Sequence, residues 1–361
     1  MSQPPAAPGI APTAPPSATV LASPPAMQVL RQPVPLQPGT AACIGAFDGL
    51  HLGHQALLRR ARALAPRVAL VTFDPHPARV LAPERAPRLL QSPGQRARVC
   101  AGLGVDELVL LHFDRALADT SPEGFVQRLL IDGLRPRAVV VGADFRFGAD
   151  RRGDAELLTT LLRPAGIEVV AVDAVPVPED RSTGKLSSSG IRAAVLAGEV
   201  ERATAMLGRW YTIEGVVVTG AGRGRELGVR TANVDAPAAL FPRPGIYAGA
   251  LGIPGEPTAW PAAISLGQNP TFVDDPHAPL VLEVHALDQA LGDSLYGRTV
   301  EVAFAARLRD ELRFPDATAL RAQIDRDIAA VRPALAPALL ASFTRYLATA
   351  TAPANHLSPA T

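Results

Sequence analysis

The sequence predicts an α/β domain built on a doubly wound parallel sheet (Rossmann-like), followed by an antiparallel β-barrel with C-terminal helices. Three observations predict it. In the first half, short apolar runs alternate with helical patterns, which indicates a parallel sheet with crossover helices. Beyond Gly208, strand-like runs follow one another with turn signals between them and no long helix. Two helical patterns then close the chain. A length of 361 residues accommodates roughly two domains, and a hydrophobic content of 48% is ample for their cores.

Taken in order, Met1–Gly39 is rich in Pro, Ala, Ser and Thr and lacks acidic residues. It reads as a disordered extension, since prolines are too frequent for a helix and no basic start precedes an apolar core. From Thr40, apolar runs at Ala41–Ile44, Val68–Phe73, Glu107–Leu111, Ala138–Val141 and Ile167–Val172 read as strands. Helical patterns lie between several of them, at Gln55–Leu64, Gly94–Leu103, Pro122–Leu130 and Asp154–Arg163. Ser187–Ser189 are suited to cap a further helical pattern, Ile191–Leu207. The barrel strands are expected at Tyr211–Val218, Ile246–Leu251, Ala262–Leu266, Leu280–Ala286 and Thr299–Phe304, and the closing helices at Thr318–Arg332 and Ala334–Ala348. The chain thus divides into an extension (1–39), an α/β domain with a linker helix (40–208), a barrel domain (209–350) and a disordered tail (351–361).

Composition excludes several classes. Charge is nearly balanced, 35 basic against 34 acidic residues, which argues against a large nucleic-acid surface. Cys43 and Cys100 cannot make a disulfide framework, and metal-site spacings are absent. No apolar stretch approaches the ~20 residues that cross a bilayer. The chain is expected in the cytoplasm, with small-molecule substrates and no nucleic acid, membrane or obligate protein partner.

In a doubly wound sheet, ligands bind beyond the carboxyl ends of the strands, and the motifs fall there. Ile44–His54, IGAFDGLHLGH, is a strand end, a glycine-rich turn and a helix start. It gathers backbone N–H groups and two imidazoles, His51 and His54, around one small volume where a phosphate chain could sit. HxGH at such a turn signals nucleotidyl transfer. FDPHP (Phe73–Pro77) and GADFRFG (Gly142–Gly148) follow later strands. In the latter, Arg146 and the phenylalanines suit a phosphate and a planar ring, although a tight turn that buries one or both rings explains part of the pattern. In SSSGIR, Arg192 near a helix start opposes the helix dipole, a cost that a bound polyphosphate would remove. In the second half, GAGRGRELGVRTANV (Gly220–Val234) is a Gly-Arg loop that could wrap a phosphate chain, with Thr231 and Asn233 offering neutral oxygens for magnesium. Glu283 sits in a strand, either facing solvent or held as a general base.

In the order and spacing of these motifs, from Gly39 to about Arg332, the chain resembles the bacterial bifunctional riboflavin kinase/FMN adenylyltransferase (FAD synthetase) family. The resemblance implies phosphorylation of riboflavin by ATP, then adenylylation of FMN by a second ATP, with Mg2+ required. By position, His51 and His54 would polarise the ATP phosphates, and Gly45, Phe47, Asp48 and Gly49 would shape their loop. Phe73, Pro75 and His76, with Asp144, Phe145 and Arg146, would line the flavin and adenine pockets. Ser188 and Arg192 match a serine-rich motif whose Arg holds the triphosphate. In the barrel, Gly222, Arg223 and Gly224 match the ATP loop, Thr231 and Asn233 the magnesium pair, and Glu283 the base acting on the ribityl 5′-hydroxyl. Asn269 lies in a loop near the barrel mouth. Arg230 stands where the family has proline, which implies a looser, more charged loop.

Overall fold

A computed structural model of the chain describes residues 27–176, 186–220, 229–268, 280–287 and 293–349. Strands β1 (Gln28–Leu30), β2 (Thr40–Ile44), β3 (Arg67–Asp74), β4 (Glu107–His112), β5 (Ala138–Gly142) and β6 (Glu168–Val172) form a parallel sheet in the order β1-β4-β3-β2-β5-β6. These runs are continuously apolar because helices cover both faces of the sheet. Ala41 and Cys43 pack with Leu57, Leu58 and Ala61 on one face, while Ala42 and Ile44 pack with Leu130, Leu134 and Leu158 on the other. The order of strands reverses between β2 and β5. The loops after these two strands therefore open side by side at the switch point, the usual ligand crevice of such sheets.

The second sheet is a closed barrel of β7 (Tyr211–Val218), β8 (Ala232–Asp235), β9 (Gly245–Gly252), β10 (Ala259–Gln268), β11 (Leu280–Ala286) and β12 (Thr299–Arg309), in the order β10-β11-β8-β7-β12-β9. Its pairs are antiparallel. Alternate side chains fill its interior, among them Ile213, Val217, Val234, Ile264, Leu282, Val284 and Val302. Helices Ala317–Ala334 and Pro337–Ala348 cover a second apolar patch, where Val331, Phe343 and Leu347 meet Trp210, Ala248 and Ala303.

The helix Pro93–Gly102 joins the sheet domain to the barrel through its polar side chains. Arg98 donates to Glu301 at 2.8 Å and also to Glu214. Gln95 donates to Glu301 at 2.5 Å, and Ser92 donates to Glu214 at 2.7 Å. Burial pushes the Glu301 carboxyl up, against the pull of the Arg98 guanidinium.

Four elements differ from the sequence expectation. β1 lies inside the stretch expected to be disordered: Val29 pairs with Leu108, and Leu36 is buried in the core. The Gln37 N–H and the Thr40 hydroxyl both donate to Glu107, at 3.2 and 3.1 Å, and tie the chain down. The surrounding prolines mask this edge strand in composition, although an edge position tolerates them. The pattern Ile191–Leu207 is two helices, Ser188–Ala197 and Val200–Leu207, separated where Gly198 takes φ 80° and ends the first. Pro122–Phe125 continues as a wider helical stretch, Val126–Leu134. Finally, β8 is a strand where a loop was expected, because it is paired on both sides: Asn233 and Val234 pair with both β7 and β11, Ala232 with β11 and Asp235 with β7. No helix among the described residues is long and apolar enough to cross a membrane.

Candidate active sites

The turn after β2 is backbone-strained. Phe47 and Leu50 hold φ 46° and 42°, and Gly49 holds φ 87°. Bulky residues rarely adopt such angles unless their surroundings impose them. Here Phe47 and Leu50 are buried at 1% and 0% exposure. Gly45 sits against the Phe47 ring, where a Cβ would lie 3.3 Å from it. Asp48, also buried, accepts the Leu90 N–H at 3.0 Å and Arg192 Nη2 at 2.5 Å. Ser188 Oγ donates to the Asp48 carbonyl at 2.8 Å, and Arg192 Nε donates to the Arg88 carbonyl at 2.9 Å. Arg209 donates to the Gly49 carbonyl at 2.7 Å, and Gln55 donates to the Leu50 carbonyl at 3.0 Å. The SSSGIR helix thus meets the FDG turn directly. Ser187 caps this helix by accepting the Gly190 N–H, and Arg192 lies one turn further in than the sequence suggested.

This turn delivers two histidines. His51 is the N-cap of the helix Leu52–Leu64, and its Nδ1 accepts the His54 N–H at 3.3 Å. In the neutral ring the proton then resides on Nε2. The two rings stack at 3.7 Å and 17°, and Phe47 meets His54 edge-on at 5.0 Å. Burial pushes the His54 pKa well below its usual value, helped by the charges of His51, Arg209 and Arg96. The His54 Nδ1 is buried with no partner among the described residues.

The neighbouring loops are placed differently. Phe73 is half-buried against Phe113, edge to face at 5.4 Å. A cis bond precedes Pro75. His76 caps the short helix Pro77–Leu81 by accepting the Ala78 N–H. Burial lowers the His76 pKa; Asp48 opposes this, while Arg96, Arg192 and Arg79 reinforce it. His76 therefore lies in electrostatic reach of the Asp48–Arg192 pair. An open cleft of about 360 Å³ between Arg79, Pro83 and Arg88 adjoins this short helix. After β5, Asp144 and Arg146 are exposed, and Arg146 pairs with Asp154 at 2.8 Å. Phe145 stacks on buried Phe147 at 5.5 Å, so one ring of the pair belongs to the core and the other covers it.

In the barrel, register brings the distant motifs together. Glu283 on β11 is the direct cross-strand partner of Asn233 on β8 and of Ser265 on β10. Paired residues share a face, opposite the one on which Leu282 and Val284 enter the core. Thr231 precedes Asn233 by two residues and immediately precedes β8. The Asn233 side chain closes on Gly220, where an added Cβ would lie 2.0 Å from its Nδ2. These hard oxygen donors fit Mg2+, which takes few protein ligands and keeps waters and phosphates. The Arg230 carbonyl meets His285 Nδ1 at 2.8 Å. Gly222, Arg223, Gly224 and Asn269 lie outside the described residues.

Arg209, Gln55 and Arg96 carry no sequence signal. Gln55 and Arg209 reach the turn from within its helix and from 160 positions away, and only the fold supplies that proximity.

Comparison with known proteins agrees with both halves. Residues 34–189 match the FAD synthetase family and residues 207–335 the riboflavin kinase family. A bifunctional riboflavin kinase/FMN adenylyltransferase of Pseudomonas fluorescens is 38% identical over 86% of this chain and 99% of its own length. Its Escherichia coli K12 namesake is 36% identical over 81% of this chain and 91% of its own. A solved Streptococcus pneumoniae chain, described as a macrolide-efflux protein, is 30% identical with a TM-score of 0.72, covering 83% of this chain and 98% of that one. With both domain families matched in order, and relatives matched along nearly their whole length, the chain belongs to the bifunctional riboflavin kinase/FMN adenylyltransferase family.

Proposed function

We propose that the turn after β2 and the β8–β11 face of the barrel are the two active sites of this enzyme. The chain phosphorylates riboflavin to FMN with ATP and then adenylylates FMN to FAD, releasing pyrophosphate. The observation that carries the site assignment is the register of Glu283 opposite Asn233 in the barrel, separate from the stacked His51–His54 pair in the sheet domain.

In the kinase site, Glu283 orients the riboflavin 5′-hydroxyl and takes its proton as the oxygen attacks the γ-phosphorus, the bond to the bridging oxygen breaks and ADP leaves. Thr231 and Asn233 would hold Mg2+, which supplies neutralisation of the phosphate charge. By resemblance to the family, Gly222, Arg223, Gly224 and Asn269 belong to the same nucleotide and flavin site. In the transferase site, the FMN phosphate is already a nucleophile at neutral pH. Its oxygen attacks the ATP α-phosphorus and the bond to pyrophosphate breaks. Positioning and charge stabilisation carry such reactions. His51 Nε2–H donates to a phosphate oxygen, and His54, kept neutral by burial, serves as hydrogen-bond partner rather than as a charged acid. Arg192 neutralises the leaving group from its station on Asp48. Phe73, Pro75, His76, Asp144, Phe145 and Arg146 border flavin and adenine. All substrates are small molecules, and the chemistry needs no nucleic acid, membrane or protein partner. These substrates suit a cytoplasmic enzyme.

Incubation with riboflavin, ATP and magnesium, followed by chromatography, tests this reading. FMN and then FAD should accumulate; protein that yields neither overturns it. His51→Ala and His54→Ala should each lose FAD formation and keep FMN formation.

A further inference from the structure

One charged side chain at the transferase site has no counter-ion among the described residues. Arg96, on the helix Pro93–Gly102, is 3% exposed. Among the described residues no carboxylate lies within salt-bridge distance of it. Its one recorded hydrogen bond is long, Nη1 to the Phe73 carbonyl at 3.4 Å, and its Nε has no partner. Its neighbour Arg98 is the contrast, since that buried guanidinium contacts both Glu214 and Glu301. The nearby carboxylate, Asp48, is already committed to Arg192 and the Leu90 N–H.

The surroundings of Arg96 are basic. Phe73, which it touches, opens the FDPHP loop. Its charge is felt by both His54 and His76 and depresses both imidazoles. The His54 Nδ1 is likewise buried without a partner. A buried cation without an anion costs several kcal/mol in effective desolvation. That cost is offset if an anion arrives with the substrate. We propose that Arg96 supplies the positive charge that receives a substrate phosphate at the His51–His54 turn, the phosphate being the counter-ion this guanidinium lacks. The proposal rests on the assignment of adenylyl transfer to that turn and adds to it the residue that balances the charge of the bound phosphate.

A structural arginine and a phosphate-receiving one behave oppositely on substitution. Arg96→Met removes an uncompensated charge at similar length. The substrate-free protein should unfold at the same or a higher temperature, as expected when a buried charge without a partner is replaced by an apolar group. FAD formation from FMN and ATP should fall about 10–100-fold, the loss of a charged hydrogen bond, while FMN formation from riboflavin is unchanged. The stabilisation of the protein by inorganic pyrophosphate, read as a shift in Tm, should shrink with it. Arg96→Lys should recover part of both. Wild-type FAD formation and an unaltered pyrophosphate shift in Arg96→Met overturn the proposal. So does a lowered Tm with both reactions failing together, which marks a structural residue. A wild-type protein that makes no FAD from FMN and ATP sinks the site reading itself, independently of Arg96.

Discussion

Glu283 shows how much a single residue's role depends on what lies opposite it. Alone in a strand it is as consistent with solvent exposure as with catalysis; set against Asn233, it belongs to an oxygen-rich face. Glu283→Gln keeps the size and removes the base, so riboflavin phosphorylation should fall about 10²–10⁴-fold. FMN-to-FAD conversion should be untouched, and unchanged kinase turnover refutes the role. Arg230 stands immediately before the Thr231–Asn233 pair. It contributes its carbonyl to His285, and proline retains a carbonyl. Arg230→Pro should therefore keep kinase activity and alter mainly the KM for ATP, as steady-state kinetics will show. His54 and His76 both have lowered pKa values, with burial as the main cause. The native state then binds fewer protons than the unfolded chain once the pH falls below the unfolded histidine value of about 6.5. Their contribution to stability is complete above that pH and is lost as pH falls, by up to about 1.4 kcal/mol per pH unit for each group. Urea unfolding between pH 7.5 and 5 should show this loss, and His54→Gln should flatten it.

At the scale of elements, the turn between β2 and the helix Leu52–Leu64 holds the chemistry because its neighbours hold it. Carbonyls of Asp48, Gly49 and Leu50 accept from Ser188, Arg209 and Gln55. Gly49 combines φ 87° with a site where a Cβ would lie 2.7 Å from Leu90. Gly49→Ala should therefore cost about 1–2 kcal/mol from the left-handed backbone alone and displace the histidines. FAD formation should drop while the barrel reaction continues. Equal FAD yields from Gly49→Ala and wild type would show the turn tolerates relaxation. The glycines and histidines of this motif were legible in the sequence because they are adjacent in the chain. The Arg209 clamp was not, since it approaches from 160 positions away.

Across the whole molecule, the helix Pro93–Gly102 serves both domains. One of its sides carries Arg96 to the Phe73 carbonyl near the end of β3, and another carries Gln95 and Arg98 to Glu301 of the barrel. Glu301 is fully buried. Arg98→Met strands its carboxylate, and breaking one side of a buried pair costs about 3–5 kcal/mol. The Tm should fall in calorimetry, and adding Glu301→Gln should recover part of the loss; a single mutant as stable as wild type would show the pair is dispensable.

The alternation of apolar runs and helical patterns was enough to determine an α/β domain followed by a barrel, and the short motifs were enough to name the chemistry. Periodicity and motif spacing are local properties that a chain carries before it folds. Local patterning could not reveal β1 among its prolines or β8 inside a glycine-rich loop, because partners elsewhere in the sheets decide both of them. The pairing of Asp48 with Arg192, the placing of Glu283 opposite Asn233 and the isolation of Arg96 from any carboxylate among the described residues belong to the tertiary structure alone. Each is a question of which charge lies near which, and folding brings together side chains that the sequence keeps far apart.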